Sequence, residues 1–322
     1  MRWKELKTQL LAVGSARLSG EPADQYIARS AAGPGAGGEG SVFFAIGRHR
    51  VRLALDPDSP VEIAHRGGGV ADLFFESTLQ NGRLEEPGYH CPNQAFITVT
   101  GSCIFKCTYC PVPHLEGERK SIDEIVSMVQ AVRHRISAIA LTSGVLSSIE
   151  EEEAYVLEVV RHLTPFGLPI GVSIYPTEQS PDRLHALGVV EVKFNIEAAT
   201  AQLFGAMCPE LDYDLIWGVL ERSVQLFGKG RVFSNVIIGL GETDAEMERC
   251  IQRLTARGVI PVLRPLNPVA GASLMQRPSA ERLAAVSAMH ERALAAAGLD
   301  TRQALTMCTN CTGCDLVPGK DA

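Results

Sequence analysis

From residue 96 onward, apolar runs of strand length alternate with amphipathic stretches of helix length, and this alternation is the strongest constraint on the fold. Strands are expected at 96–100, 138–142, 170–175, 189–196, 232–239 and 259–266. Helices are expected near 121–134, 150–164, 181–187, 213–227, 243–257 and 279–297. Strands joined through helices pair in parallel, because a helix-length crossover brings the chain back to the same end of the sheet. The expected class is therefore α/β. Six such units suit a partial (β/α)6 barrel better than a closed eight-fold one, which takes about 250 residues. In either, chemistry gathers where strands end and loops begin.

Residues 1–95 have a different texture. Gly33, Gly35, Gly37, Gly38 and Gly40 crowd around Pro34 and read as a linker or loop. Beyond it, Val51, Leu53 and Leu55 share one face of an extended strand, while Arg48, Arg50 and Arg52 share the other. Those arginines form either a solvated strand face or a basic docking patch. Asn81-Gly82 is a hairpin signal. The expected organisation is a small, mostly β, N-terminal lobe with a Gly-rich linker over 1–95, a barrel over 96–300 and a cysteine-rich tail over 301–322.

Length and charge narrow the functional classes. The 322 residues can bury a sizeable core. The formal net charge of −7 speaks against a nucleic-acid binder, which normally carries a basic excess. No uncharged apolar run approaches the roughly 18 residues needed to cross a bilayer, so no membrane association is expected. The expected location is the cytoplasm. There, nine cysteines read as metal ligands, reactive thiols or small buried hydrophobes rather than disulfides.

Two cysteine motifs carry the chemistry. Cys103, Cys107 and Cys110 form C-x3-C-x2-C directly after the first strand of the regular region. Three thiolates on one short loop can hold three corners of a cubane iron–sulfur cluster and leave the fourth iron open. A zinc site is the competing reading, with His114 as its fourth ligand. Cys308, Cys311 and Cys314 form C-x2-C-x2-C after Gln303–Met307, a possible seventh strand that would place this triad on the same rim. An auxiliary iron–sulfur cluster and a zinc knot both remain open for it. Cys208 is its candidate fourth ligand. Cys250 reads as core, and Cys91 as remote, at the opposite end of the barrel.

The first motif, with aromatic Tyr109 before its last cysteine, resembles the signature of the radical S-adenosylmethionine (SAM) superfamily. The resemblance spans about residues 96–307. It implies a [4Fe–4S] cluster on Cys103, Cys107 and Cys110 whose open iron binds SAM, and a 5′-deoxyadenosyl radical as hydrogen abstractor. Phe194-Asn195-Ile196-Glu197 and Ile237-Ile238-Gly239-Leu240-Gly241-Glu242-Thr243 resemble the biotin- and lipoyl-synthase branch. That likeness implies SAM ribose contacts from Asn195 and Glu197 and an adenine site near Ile237 and Gly239. The alternative for Glu197 is a rim carboxylate with no ligand. Leu141-Thr142-Ser143-Gly144 stands where many members have Gly-Gly-Glu, so Ser143, Gly144 and backbone carbonyls would hold the SAM amino group. Arg264 matches either a late-strand arginine that ligates an auxiliary cluster, or a SAM or substrate contact, or a structural ion pair.

Within that branch the chain most resembles one subunit of the archaeal-type, two-protein lipoyl synthases. The resemblance implies sulfur insertion into an octanoyl chain on a lipoyl carrier protein, with an auxiliary [4Fe–4S] cluster as sulfur donor. It also implies a second homologous radical SAM subunit and a reduced ferredoxin or flavodoxin as electron donor. Two alternatives stay open: a biotin-synthase-like enzyme, methyltransferase or maturase whose second cluster is not consumed, and a non-catalytic metal-binding protein.

Overall fold

A computed structural model describes residues 2–28, 40–114, 117–268 and 276–321. Most of the expected Gly-rich linker, Gly33 to Gly38, lies outside the described residues. The chain opens with helix α1 (Trp3–Val13), followed by β1 (Ser15–Gly20), β2 (Ser41–Ile46), β3 (His49–Leu55), β4 (Glu62–His65), β5 (Val70–Phe75) and β6 (Thr78–Glu85). These strands close into a barrel of order β1-β3-β2-β6-β5-β4. The Asn81-Gly82 signal falls inside β6 rather than at a turn. The β5–β6 hairpin turns instead through Glu76, whose φ is +51°.

The regular region follows the alternation. Its elements are β7 (His90–Cys91), β8 (Gln94–Thr98), α2 (Ile122–Val132), β9 (Ala138–Thr142), α3 (Ile149–Leu163), β10 (Ile170–Ser173), α4 (Ser180–Ala186), β11 (Glu191–Lys193), α5 (Ala201–Met207), α6 (Tyr213–Phe227), β12 (Val232–Ile238), α7 (Asp244–Ala256), β13 (Val259–Pro265) and α8 (Ala280–Ala297). Strands β8 to β13 are parallel in sequential order, with β7 antiparallel on the β8 edge. Local signals fix the helix starts. Ser121 and Thr243 build capping boxes with Glu124 and Glu246, satisfying amide donors that the first turn leaves free.

The sheet curls into a half-barrel. Phe96 of β8, Ala140 of β9, Phe233 of β12 and Val262 of β13 share one buried cluster with Met307, Cys308 and Cys311. Residues from both ends of the sheet meet those of the tail, so the tail lies inside the curl. The opposite faces, including Ile97, Leu141, Val192 and Val236, join the helices in the main core.

The tail corrects one expectation. Gln303–Met307 is not a strand: residues Thr301–Gln303 form a 3-10 turn, and a short helix α9 spans Met307–Cys311. Its amides are taken by side chains instead of a neighbouring strand. The N–H groups of Leu305 and Thr306 donate to Glu191 at 2.9 and 2.8 Å, and Met307 N–H donates to Gln94 Oε1 at 2.8 Å. Glu191 and Gln94 are the first residues of β11 and β8, so the tail enters the lumen among the strand starts, not on the rim.

Candidate active site and a second cysteine site

The loop after β8 carries Cys103, Cys107 and Cys110, all half-buried and free. Neighbouring loops pin it. Thr108 N–H donates to Met207 O at 2.9 Å, Ile104 N–H to Val145 O at 2.8 Å, and Lys106 N–H to Glu210 Oε2 at 3.0 Å. Gly144 is required here: a Cβ at this position would meet Ser102 O at 2.0 Å and Cys103 Cβ at 3.3 Å. Its lack of a side chain lets the β9 loop pass directly beneath the cysteine loop.

Tyr109 links the triad to the end of β11. The Cys208 thiol donates to Tyr109 Oη at 3.6 Å, and Glu197 shares hydrogen bonds with Tyr109 and Asn195. Burial pushes the Glu197 carboxyl up to about 7, against the pull of Lys193, Asn195, Tyr109 and Arg264. Its φ of +55° is held by backbone bonds to both sides, with Glu197 N–H on Asn235 O and Ile237 N–H on Glu197 O. A non-glycine residue locked in the left-handed region marks a site where position outweighs strain. Asn195, Glu197 and Ile237 are thus brought to one end of β11 and β12, beside the triad.

Two expected contacts are spoken for. Ser143 donates to Glu152 Oε1 at 2.5 Å and accepts from Thr100 N–H at 3.0 Å, so its only proton serves the protein. Glu152, which is 2% exposed, also takes Thr100 Oγ1 at 2.7 Å and Arg119 Nη2 at 2.6 Å. It was invisible to motif reading because its partners come from three separate segments. Gly239 N–H is likewise consumed, donating to Glu242 Oε1 at 2.8 Å while Leu240 N–H takes Oε2 at 2.9 Å. Ser143 and Gly239 are thereby held in place at the rim by Glu152 and Glu242. His114 is exposed.

The second cysteine site lies deeper. Lys193 Nζ donates to Cys308 Sγ at 3.6 Å. Arg264, 5% exposed, faces Cys308 and Cys314 rather than the rim. The β-lobe closes over the other side. Arg52 N–H donates to Gly313 O at 2.7 Å, and Arg50 Nη1 donates to Cys311 O at 3.2 Å while Arg50 pairs with Glu85 at 2.6 Å. A Cβ at Gly313 would meet the Phe43 ring at 2.6 Å, so only glycine lets the lobe seat there. The arginine face of β3 is thus turned inward, contrary to the solvent-facing expectation. Of the three, only Arg48 is exposed.

Cys91 lies among the strand starts, the end of the barrel expected for it, and the tail triad comes to it there. Cys208 is hydrogen-bonded to Tyr109 at the rim, so it does not complete the tail triad. Cys91, 0% exposed in β7, donates to Gln94 O at 3.8 Å and shares one buried cluster with Cys308 and Cys311. Cys250 is buried in α7, as expected of a core thiol.

Comparison with known proteins places this architecture. Residues 97–254 match the radical SAM superfamily. A lipoyl synthase from Polaromonas naphthalenivorans is 24% identical over 230 residues, covering 62% of this chain and 66% of that protein. A tRNA-2-methylthio-N(6)-dimethylallyladenosine synthase from Syntrophotalea carbinolica is 23% identical over 223 residues, covering 65% of this chain and 51% of that one. The chain thus spans about half to two thirds of these relatives' length. Among solved structures, methylornithine synthase superposes with a TM-score of 0.52 at 15% identity, covering 61% of each chain. A hydrogenase maturase from Carboxydothermus hydrogenoformans gives 0.50 at 18% identity, covering 62% of this chain and 52% of that one. These two share the fold.

The family implies SAM and a [4Fe–4S] cluster, and the rim residues fit the cluster. Three half-buried thiols sit on one pinned loop. A hydrogen bond from Cys208 and burial push the Cys107 thiol well up, and burial pushes Cys110 up to about 12. Thiols this reluctant to ionise alone become thiolates when a cationic centre takes their protons' place.

Proposed function

We propose that the chain is a radical SAM enzyme that inserts sulfur into an octanoyl chain carried on a lipoyl carrier protein. The supporting observation is axial order: the rim triad and the tail cysteines lie along one lumen, with Glu197, Lys193 and Arg264 between them. A carbon–sulfur bond at an unactivated carbon needs a hydrogen abstractor and a sulfur source within reach of the same atom. When bound, the rim cluster with SAM supplies the first and a tail cluster the second. The protein holds them with Cys103, Cys107 and Cys110 above and Cys308, Cys311 and Cys314 below. Tyr109, Gly144, Asn195, Glu197 and Ile237 line the rim where SAM would lie. The names of the relatives, a lipoyl synthase and a methylthio-nucleoside synthase, both denote products with carbon–sulfur bonds. The same reading assigns a second homologous subunit, a reduced ferredoxin or flavodoxin and a cytoplasmic setting.

The decisive experiment incubates reduced, reconstituted protein with SAM and an octanoylated lipoyl-domain peptide, and follows peptide mass. Gain of sulfur is expected; 5′-deoxyadenosine without thiolated peptide, in the presence of the partner subunit, refutes the reading. Replacing all three rim cysteines with Ala should remove about half the iron and all SAM cleavage.

A second reading has its own observation. The tail is clamped on every side by Lys193, Arg50, Arg52 and Arg264, which suits a permanent cluster as well as a consumed one. Sulfide counted before and after one turnover separates them.

A further inference from the structure

We infer that Cys91 is the fourth protein ligand of the tail site, completing with Cys308, Cys311 and Cys314 a four-thiolate [4Fe–4S] cluster clamped between the barrel lumen and the β-lobe. This inference rests on the auxiliary-cluster part of the reading above, not on sulfur insertion.

Four observations carry it. The first is placement: Cys91 shares one buried cluster with Cys308 and Cys311, while the Cys208 thiol is bonded to Tyr109 at the rim. The second is the spacing of the tail motif. C-x2-C-x2-C delivers three thiolates from one turn, as iron–sulfur runs do, and the fourth comes from elsewhere in the chain. Zinc gathers its sulfurs about 2.3 Å from a single ion. A cubane instead carries its four thiolates on separate corners.

The third observation is charge. Arg52 is 6% exposed with both Nη1 and Nη2 unpartnered, and Arg264 is 5% exposed with Nε unpartnered. Arg52, Arg264, Arg277 and Cys314 line one small cavity, and Lys193 adds its ammonium beside Cys308. Glu85 answers Arg50, Lys7 answers Asp321, and Arg231 answers Glu191. Asp315 and Glu197 are left to answer Lys193 and Arg264, and among the described residues no carboxylate pairs with Arg52 or Arg277. Buried cations without counter-charge are costly, so this chamber calls for an anion. A four-thiolate cluster is one. On ligation, four S–H bonds give way to four Fe–S bonds, and four protons leave.

The fourth observation is strain. Among the described residues, five non-glycines have positive φ, and three of them frame this site: His90 at +71°, Met307 at +56° and Thr312 at +62°. They sit beside Cys91, Cys308 and Cys311. Strain kept at ligand positions is the signature of a backbone shaped for a bound group.

The test compares anaerobically reconstituted protein with Cys91→Ser and Cys208→Ser variants by iron and sulfide content, by spectra of the reduced state and by circular dichroism. The parent and Cys208→Ser should carry about eight iron, and Cys91→Ser about four, or about seven if one corner of the second cluster is lost. Full iron and unchanged spectra in folded Cys91→Ser overturn the assignment. Should Cys91→Ser fail to fold, Mössbauer spectra of the parent decide: a second cluster with one chemically distinct iron, or zinc in its place, is equally fatal. Cys308, Cys311 and Cys314 changed together to Ala separate the two readings. About eight iron there puts the second cluster on other residues than the tail and overturns the assignment; about four there, with full iron in Cys91→Ser, refutes Cys91 alone.

Discussion

Removing the carboxylate of Glu152 would strip Thr100, Ser143 and Arg119 of their common acceptor. Glu152→Ala leaves the Arg119 guanidinium, 24% exposed, without its partner, and the loss should approach the 3–5 kcal/mol typical of a broken buried pair, about 3 kcal/mol by urea denaturation. Ser143→Ala should cost only about 1 kcal/mol, because one neutral hydrogen bond is lost. His290 offers a pH test away from both cysteine sites. It is 2% exposed, both ring nitrogens are unpartnered, and burial pulls it down from 6.5 to about 3. Between those values the unfolded chain binds a proton that the folded one refuses, so stability falls as pH drops below 6.5. His290→Leu should flatten the melting temperature between pH 6.5 and 4, where the parent loses up to about 1.4 kcal/mol per unit from this group. An equal slope in both would refute the assignment.

At the scale of elements, β3 is the informative case. Its alternation was legible: Val51 and Leu53 face the lobe core and are 0% exposed. Which medium the arginine face meets was not, because solvent and a returning tail leave the same pattern on a strand. Arg50→Ala strands Glu85, 19% exposed, and frees Cys311 O, so a loss of about 3 kcal/mol is expected. Hydrogen exchange should then quicken in α9 more than in β12; equal protection in both would show that Arg50 does not brace the tail. The helices α2 to α8 were legible for a different reason. Their signals, such as the Ser121/Glu124 and Thr243/Glu246 boxes, act within one turn and need no distant partner.

Across the whole molecule, the β-lobe and the tail are fastened by Lys7. This ammonium is 0% exposed and donates to Asp321 Oδ2 at 2.7 Å and to Thr312 O at 2.5 Å. Lys7→Met leaves Asp321 buried and unpaired, so about 3–5 kcal/mol should be lost. Lys7→Met with Asp321→Leu should recover much of it, since paired removal leaves no orphan charge. Among the described residues, no helix is long and apolar enough to cross a membrane.

The sequence by itself determined the α/β alternation, the two cysteine triads and the strand ends that carry Asn195, Glu197 and Ile237, because periodicity, capping and short-loop spacing are properties of neighbours along the chain. Only the tertiary structure decided that Gln303–Met307 spends its amides on Glu191 and Gln94 instead of pairing as a strand. It alone turned the arginines inward and put Cys91, not Cys208, beside the tail. Each of these depends on where a segment 114 to 261 residues away returns, and long-range closure leaves no periodic trace in the local sequence.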